Sequence, residues 1–209
     1  DVDALASWDF PINVQSFGEY EFANILDLED EYTVLIERRL AFTGFNVSTG
    51  AAVTDVEAKV YVATTSGNPS AGATFSAFQE FKTSIITARA FKFKVILTSS
   101  NVTSNICVTQ LGLKMFMSPT VQFDVNKSTS TSGAVPILFP NKFFTGVSAT
   151  IGGVGAFTPA VIPVIQNPSS SGEFPVVSGI DKAGFDILTR DSSNNLTSRL
   201  IAYQASGLR

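Results

Sequence analysis

Apolar and polar residues alternate along much of the chain. The segment Phe91–Val95 alternates apolar with basic side chains, and Val121–Asn126 alternates valine and phenylalanine with amides and a carboxylate. A period of two residues puts successive side chains on opposite faces of a β-strand. Each segment therefore predicts a strand with one apolar face and one solvated face, and we expect Phe91, Phe93 and Val95 to face a core.

The same alternation, with many β-branched and aromatic residues, predicts further strands. They cover roughly 20–26, 32–42, 55–63, 111–117, 134–139, 147–151, 161–166, 185–190 and 199–205. Turn-rich stretches such as Ser66–Ser70 and Asn167–Gly172 separate them. The helix-like segment Glu31–Leu40 has β-branched neighbours that favour a strand. Short strands at this spacing predict an all-β fold.

A boundary near Ser118-Pro119 divides the chain. Residues 1–118 form a strand-rich block of a size usual for a β-sandwich. Residues 119–209 begin with a polar strand and a Ser/Thr tract, Asn126–Gly133, in which we expect no core residues. We predict two consecutive antiparallel β-sandwich domains, of which the second is the smaller.

Composition narrows the function classes. Hydrophobic residues make up 44% and charged residues 15% of the 209 positions, as in globular proteins. The net charge is −4 and Lys and Arg are scattered, which disfavours binding to nucleic-acid phosphates or to anionic membranes. No apolar run reaches the roughly 18 residues that a membrane-spanning helix needs. We expect no nucleic-acid partner and no membrane insertion.

The chain has no histidine and one cysteine. Ser-His-Asp and Cys-His catalytic systems and the usual zinc sites are therefore excluded, whereas an oxygen-only metal site or a carboxylate pair stays open. Cys107 lies in an apolar run and is expected to be a small buried side chain. We predict a non-enzymatic protein without metal or cofactor.

Several short motifs have a structural interpretation. The carboxylates of Asp27, Glu29, Asp30 and Glu31 predict a solvated turn between strands, because a calcium loop typically also needs a glycine. The segment Gly152–Gly155 lacks the Lys-Ser/Thr of a phosphate loop and predicts a flexible loop. N-glycosylation sequons arise readily by chance in such a chain, although they keep a secreted eukaryotic lectin open; they begin at Asn46, Asn101, Asn126 and Asn195.

Recognisable segments follow one another in the first block. They are Trp8, Gly18–Phe22 with Asp27-Leu28, Phe75–Phe81, and Thr87–Lys94 leading into Leu97–Ser99. In this order they resemble the β-sandwich near the C-terminus of lambda-like host-specificity proteins, the central tail-tip proteins of siphophages and prophages. The chemistry of Thr87–Lys94 is structural, since its apolar residues face a core and Arg89 is expected to pair or hydrogen-bond.

The second block carries its own series of matching positions. They are Phe139-Pro140 with Phe143, Gly184-Phe185, the turn Asp191–Asn195, and then Arg199, Tyr203 and Gly207. These resemble the small lectin-like domain that follows in the same proteins and is similar in fold to H-type lectins. The stretch Ile151–Asn167 departs from that pattern by its greater length.

The resemblance implies a component of the distal end of a virion tail, in a tail tip or tail fibre. It implies a homotrimer about the tail axis, contacts with other phage tail proteins, and recognition of a host cell-surface glycan or protein through the C-terminal domain. Three weak sites on one axis would gain avidity.

Sugar sites combine amides, hydroxyls and carboxylates with an aromatic face for the apolar side of the ring. Two polar segments of the second block offer such groups. We predict a receptor-binding surface formed by Asn167, Ser169, Ser170, Glu173 and Phe174 of one loop and by Asp191, Asn194 and Asn195 of one turn.

Two alternatives remain open. In a purely structural or decoration protein of the tail, both domains are spacers and the surface is smooth and rich in Ser and Thr. A glycan-degrading enzyme needs two carboxylates roughly 5–10 Å apart in a groove. The candidates in the second block are Glu173, Asp181, Asp186 and Asp191. An exposed aromatic beside Asn and Asp would favour binding instead.

Overall fold

A computed structural model describes residues 14–146 and 157–209. The chain is almost entirely β, and its strands pair antiparallel, so the predicted all-β sandwich class is confirmed. One compact unit ends at Phe116 and a second begins at Met117. Among the described residues, no helix is long and apolar enough to span a membrane. Trp8, the predicted strand 147–151 and Gly152–Gly155 lie outside the described residues.

The N-terminal unit is built from seven strands in one hydrogen-bonded network. They are β1 (Phe17–Glu21), β2 (Leu26–Asn46), β3 (Ala52–Val53), β4 (Val56–Thr65), β5 (Gln79–Phe81), β6 (Thr83–Ser99) and β7 (Ser104–Met117). The order is β3-β2-β6-β4-β5, with β1 paired to β6 and β7 paired to β2. The helix-like segment 31–40 therefore lies within a strand, as predicted.

The central strand of this unit, β6, supplies much of the core. Phe91, Phe93 and Val95 are buried as predicted, and the rings of Phe91 and Phe93 stack with centroids 6.2 Å apart. The neighbouring strands β2 and β4 also contribute buried side chains, which include Val34, Ile36 and Val60. Alternation at a period of two therefore identifies the inner face of this strand correctly.

The carboxylate-rich segment is a bulge within β2, so the turn predicted there is wrong. The register of β2 against β6 shifts between Asp27 and Tyr32, and Glu29 has a positive φ of 70°. Arg89 donates from Nε and Nη2 to the two oxygens of Asp27, at 2.9 and 3.1 Å. A β-bulge inserts extra residues into one strand and bends it. The ion pair expected for Arg89 therefore joins β6 to Asp27, where the bulge in β2 begins.

Cys107 lies on β7 and is exposed, so its predicted burial is wrong. The residues of β7 alternate between half-buried and exposed without reaching full burial beyond Ser104. An apolar run in the sequence therefore did not mark a buried strand here.

The C-terminal unit is a sandwich of two sheets. Its strands are β8 (Pro119–Ser128), β9 (Val135–Leu138), β10 (Ala160–Ile165), β11 (Phe174–Ser178), β12 (Gly184–Arg190), β13 (Leu196–Thr197) and β14 (Leu200–Leu208). A three-stranded sheet has the order β10-β14-β8, and a four-stranded sheet joins β11, β12 and β13 with β9 paired to β12. Both sheets contribute to one core of Ile137, Phe139, Phe143, Phe185, Ile187, Ile201, Tyr203 and Ala205.

Strand β8 has the two faces that its alternation predicts, but the apolar face is the outer one. Val121, Phe123 and Val125 are exposed, whereas Gln122 is buried. The Gln122 amide donates to Asn141 O at 2.8 Å and accepts from Asn141 N at 3.0 Å. These two bonds satisfy the buried amide, so a polar residue takes a position on the inner face.

Replacing Phe91 tests the core of the N-terminal unit. Because Phe91 is fully buried, F91A should lower the free energy of unfolding by about 3–5 kcal/mol. I85A is the matched control, since Ile85 on the same strand is 70% exposed, and it should change stability by less than about 0.5 kcal/mol. Denaturant unfolding measures both. Equal effects of the two substitutions would contradict the burial assigned to these two side chains.

The exposure of Cys107 is open to direct chemical measurement. We expect the folded chain to react with one equivalent of a thiol reagent, because the side chain is accessible without unfolding. Titration with a chromogenic disulfide, with and without denaturant, gives the reacted fraction. A thiol that reacts only after denaturation would place Cys107 in a buried environment.

Candidate functional site

The two polar segments proposed from the sequence lie side by side at one end of the four-stranded sheet. The loop after β10 leads into β11 at Phe174, which pairs with Arg190 at the end of β12. The turn Asp191–Asn195 follows at once. A Cβ added to Gly172 would lie 3.2 Å from the Cβ of Ser192, so the loop and the turn are in close contact.

An ion pair fastens the loop to the start of β14. Arg199 donates from Nε to Glu173 Oε2 at 2.8 Å, and its Nη2 contacts both Glu173 Oε1 and Ser169 Oγ. Ser169 also donates to Glu173, from its backbone N at 3.1 Å and from Oγ at 2.9 Å. The Glu173 side chain is only 1% exposed. Fork-to-carboxylate pairing of this kind is both strong and geometrically specific.

This setting keeps Glu173 ionised. The Arg199 guanidinium, with help from the Ser169 hydroxyl and N–H, lowers the pKa of Glu173 from 4.5 to about 2. Desolvation acts in the opposite direction and is outweighed. Glu173, which the sequence predicts as a receptor contact, instead holds the loop through its ion pair with Arg199.

Asn167 has a similar structural use. Its Oδ1 accepts a hydrogen bond from Leu200 N at 3.0 Å, and the adjacent Gln166 N donates to Leu200 O at 2.8 Å. Both ends of the loop are thus anchored to β14. A loop tied in this way loses little conformational entropy when it binds a partner.

The turn is organised around one carboxylate. Asp191 Oδ1 accepts from Ser193 N and from Asn195 N, both at 2.9 Å, while Asn194 takes a left-handed conformation with φ of 69°. Arg190 Nη1 closes the structure by donating to Asn194 O at 2.6 Å. The pKa of Asp191 is lowered, chiefly by the backbone hydrogen bond from Asn195, although the charge of Glu173 opposes this.

The groups left to face solvent are therefore fewer than the sequence predicts. Phe174 is 43% exposed, and the side chains of Ser170 and Asn194 are exposed and have no hydrogen-bond partner within the described part of the chain. Ser169, Glu173, Asp191, Asn195 and Asn167 support the backbone instead. The structure places all eight predicted residues in one region. Five of them hold the loop and the turn, and the other three face solvent.

Sequence reasoning missed part of this surface. It treated Phe174 as the end of a loop, whereas Phe174 begins β11, a strand that was not predicted. Because alternate residues of β11 point outward, Val176 extends the exposed apolar surface beside Phe174. Arg190 is the other omission. The run Phe174–Ser178 is rich in valine, and this signal was masked by Pro175 and by the polar loop before it.

Neither Glu173 nor Asp191 has the raised pKa expected of a general acid in glycoside hydrolysis. A general acid in that reaction needs a raised pKa. The two neighbouring carboxyl groups, Glu173 and Asp191, both have lowered pKa values because hydrogen-bond donors surround them. No cluster of three or more potential metal ligands occurs among residues 14–146 and 157–209.

The Glu173–Arg199 pair should make the stability of the C-terminal unit depend on pH. The folded-state pKa is about 2 and the ordinary value is 4.5, so the stabilisation is complete above about pH 4.5 and is lost as pH falls towards 2. E173Q should melt at a lower temperature than the wild type at neutral pH, and this difference should shrink over that window. Thermal melts followed by circular dichroism measure it.

S193A is the control for this experiment, because it alters an exposed side chain of the neighbouring turn and leaves the Glu173–Arg199 pair and every charge in place. Its melting temperature should follow that of the wild type from pH 7 to pH 2. A gap between E173Q and the wild type that persists unchanged to pH 2 would contradict the assigned ion pair.

Comparison with known protein families, curated proteins and solved structures finds no match to this chain. A function therefore has to be argued from the residues, contacts and charges of the chain itself.

Proposed function

We propose that this protein is a non-enzymatic component of a phage tail tip or tail fibre. It lies at the distal end of the virion tail and recognises a host-surface receptor, a glycan, through its C-terminal unit. It works as a homotrimer in contact with other tail proteins. The proposal is supported by the resemblance of both blocks, in order, to tail-tip proteins and by the surface around Phe174.

The exposed aromatic ring beside unpaired polar groups is the observation that carries the proposal. Phe174 is exposed next to the Arg190–Asn194 corner, and Ser170 lies on the adjoining loop. The apolar face of a sugar ring packs on an aromatic side chain, while amides and hydroxyls bond its hydroxyl groups. Phe174, Asn194 and Ser170 supply these groups, and Val176 widens the apolar part.

The supports behind the surface favour recognition. The ion pair at Glu173 and the turn at Asp191 hold the loop and the turn in one geometry before any ligand arrives. Such preorganisation lowers the entropic cost of binding. A small site of this kind gives a weak single contact, and repetition in a trimer raises its avidity.

A structural or decoration role is the second candidate. It is favoured by the internal use of so many polar groups of the loop and the turn, because such groups stabilise a spacer equally well. The two candidates differ in what they require of Phe174. A receptor site requires the exposed Phe174 ring, whereas a spacer functions without it, so removal of the ring distinguishes the two.

Removal of the Phe174 ring should weaken receptor binding without unfolding the protein. F174A takes away the apolar platform, and we expect the affinity for a bound bacterial surface polysaccharide to fall at least about tenfold, equivalent to about 1.4 kcal/mol. The chain is first screened on an array of such polysaccharides, and the strongest binder is then titrated calorimetrically.

F157A is the matched control, since Phe157 is 45% exposed and precedes β10, whereas the loop of the site follows that strand. It should bind as the wild type does. N194G keeps the left-handed conformation of the turn and removes only the amide, so it should weaken binding without changing the melting temperature. Equal binding by F174A and the wild type would move the function to the decoration role.

A further inference from the structure

An exposed apolar surface covers the outer side of the three-stranded sheet of the C-terminal unit. We call this the β8/β10 face; it consists of Val121, Phe123 and Val125 on β8 and Ile162 and Val164 on β10. All five side chains are at least half exposed, and Phe123 reaches 77%. Monomeric proteins seldom leave contiguous apolar patches of this kind uncovered, and such patches mark interaction sites.

The strand register places these side chains in rows. Phe123 and Ile162 stand on either side of Gln204 of β14, and Val121 pairs with Ser206. Val164 pairs with Ala202 on the same face. Small or amide side chains on the middle strand therefore leave a shallow channel between two apolar ridges.

The inner side of β8 shows that this orientation is built into the fold. Gln122 is buried beneath the sheet and is satisfied by both backbone groups of Asn141. A slip of one residue would bury Val121 and Phe123 but would break that pair. The strand thus keeps its largest apolar side chains outside, at the cost of burying an amide.

The absence of charge indicates what covers the face. Among the described residues, none of the outward positions on 121–125, 160–164 and 202–206 is charged. A surface that meets its own copy across a symmetry axis brings like groups together, so charges there would repel. Interfaces between identical chains are also more apolar than those between transient partners.

We propose that the β8/β10 face is where copies of this chain pack against one another. Three strands about 4.8 Å apart and five residues about 3.4 Å apart give a patch of roughly 15 Å by 17 Å. Its area of roughly 250 Å² is about a third of the roughly 800 Å² that each partner buries in a standard interface, so surrounding polar residues supply the rest. The face gives the homotrimer of the proposed function its surface, but self-association follows from the face itself.

The test measures the mass of the full chain in solution by light scattering over a range of concentrations. The wild type should have a multiple of the single-chain mass of 22.3 kDa, three-fold for the axial trimer. F123E and I162E each place a carboxylate on the β8/β10 face and should reduce the mass to one chain. Circular dichroism verifies that both variants fold.

L138E is the matched control, because Leu138 is 73% exposed but lies on the other sheet. It should retain the mass of the wild type. The wild-type assembly should also persist at high salt, since no charge pairs hold it together. A wild type that is monomeric at every concentration, or variants that keep the full mass, would overturn the proposal.

The result is separable from the receptor proposal. F174A should keep the mass of the wild type while it loses ligand, and F123E should lose the assembly while a single chain still binds the same ligand weakly. Loss of ligand binding in F174A together with a monomeric wild type would sustain the receptor site and refute the interface.

Discussion

The aromatic cluster between the two sheets of the C-terminal unit determines which surfaces are left for function. Phe139 meets Phe143 edge to face with ring centroids 4.9 Å apart, and Phe185 meets Tyr203 in the same way at 5.0 Å. Such pairs contribute about 0.5–1.5 kcal/mol beyond the area they bury. Because each sheet gives one face to this cluster, every exposed apolar group has to lie on an outer face.

The two outer faces of this unit then differ in chemistry. At the end of the four-stranded sheet, charged and amide groups such as Glu173 and Asn167 hold the loop and the turn in place. Phe174 is exposed among these polar groups. On the three-stranded sheet, the outer residues are uncharged over all three strands, and those of β8 and β10 are apolar. A polar frame around one ring suits a small polar ligand, whereas a continuous apolar surface suits another protein chain.

The sequence allowed the strands to be predicted because a period of two leaves a clear trace, as in Phe91–Val95. It did not reveal which face of β8 is inner. Alternation in β8 fits either orientation, and the choice depends on Gln122 finding both backbone partners at Asn141. Such a contact joins residues 19 positions apart and leaves no local signal.

The candidate site was predictable in outline for a similar reason. Loop composition indicated where the polar groups lie, and the register of β11 against β12 brought the loop and the turn together. Their roles depended on distant partners: Arg199 lies 26 residues beyond Glu173. Cys107 shows the converse, since an apolar neighbourhood in sequence did not become a buried one in the fold.

In the turn after β12, the residue that fixes the backbone differs from the residues whose side chains face solvent. The backbone of the turn is held by the Asp191 carboxylate, which accepts hydrogen bonds from the backbone N of Ser193 and of Asn195. Neither bond involves the Ser193 side chain. Mutations at Ser193 can therefore accumulate without disturbing the sheet. Selection for binding to a changing partner can therefore act on the exposed side chains of this turn, while the backbone of the turn and the sheet that carries it stay the same.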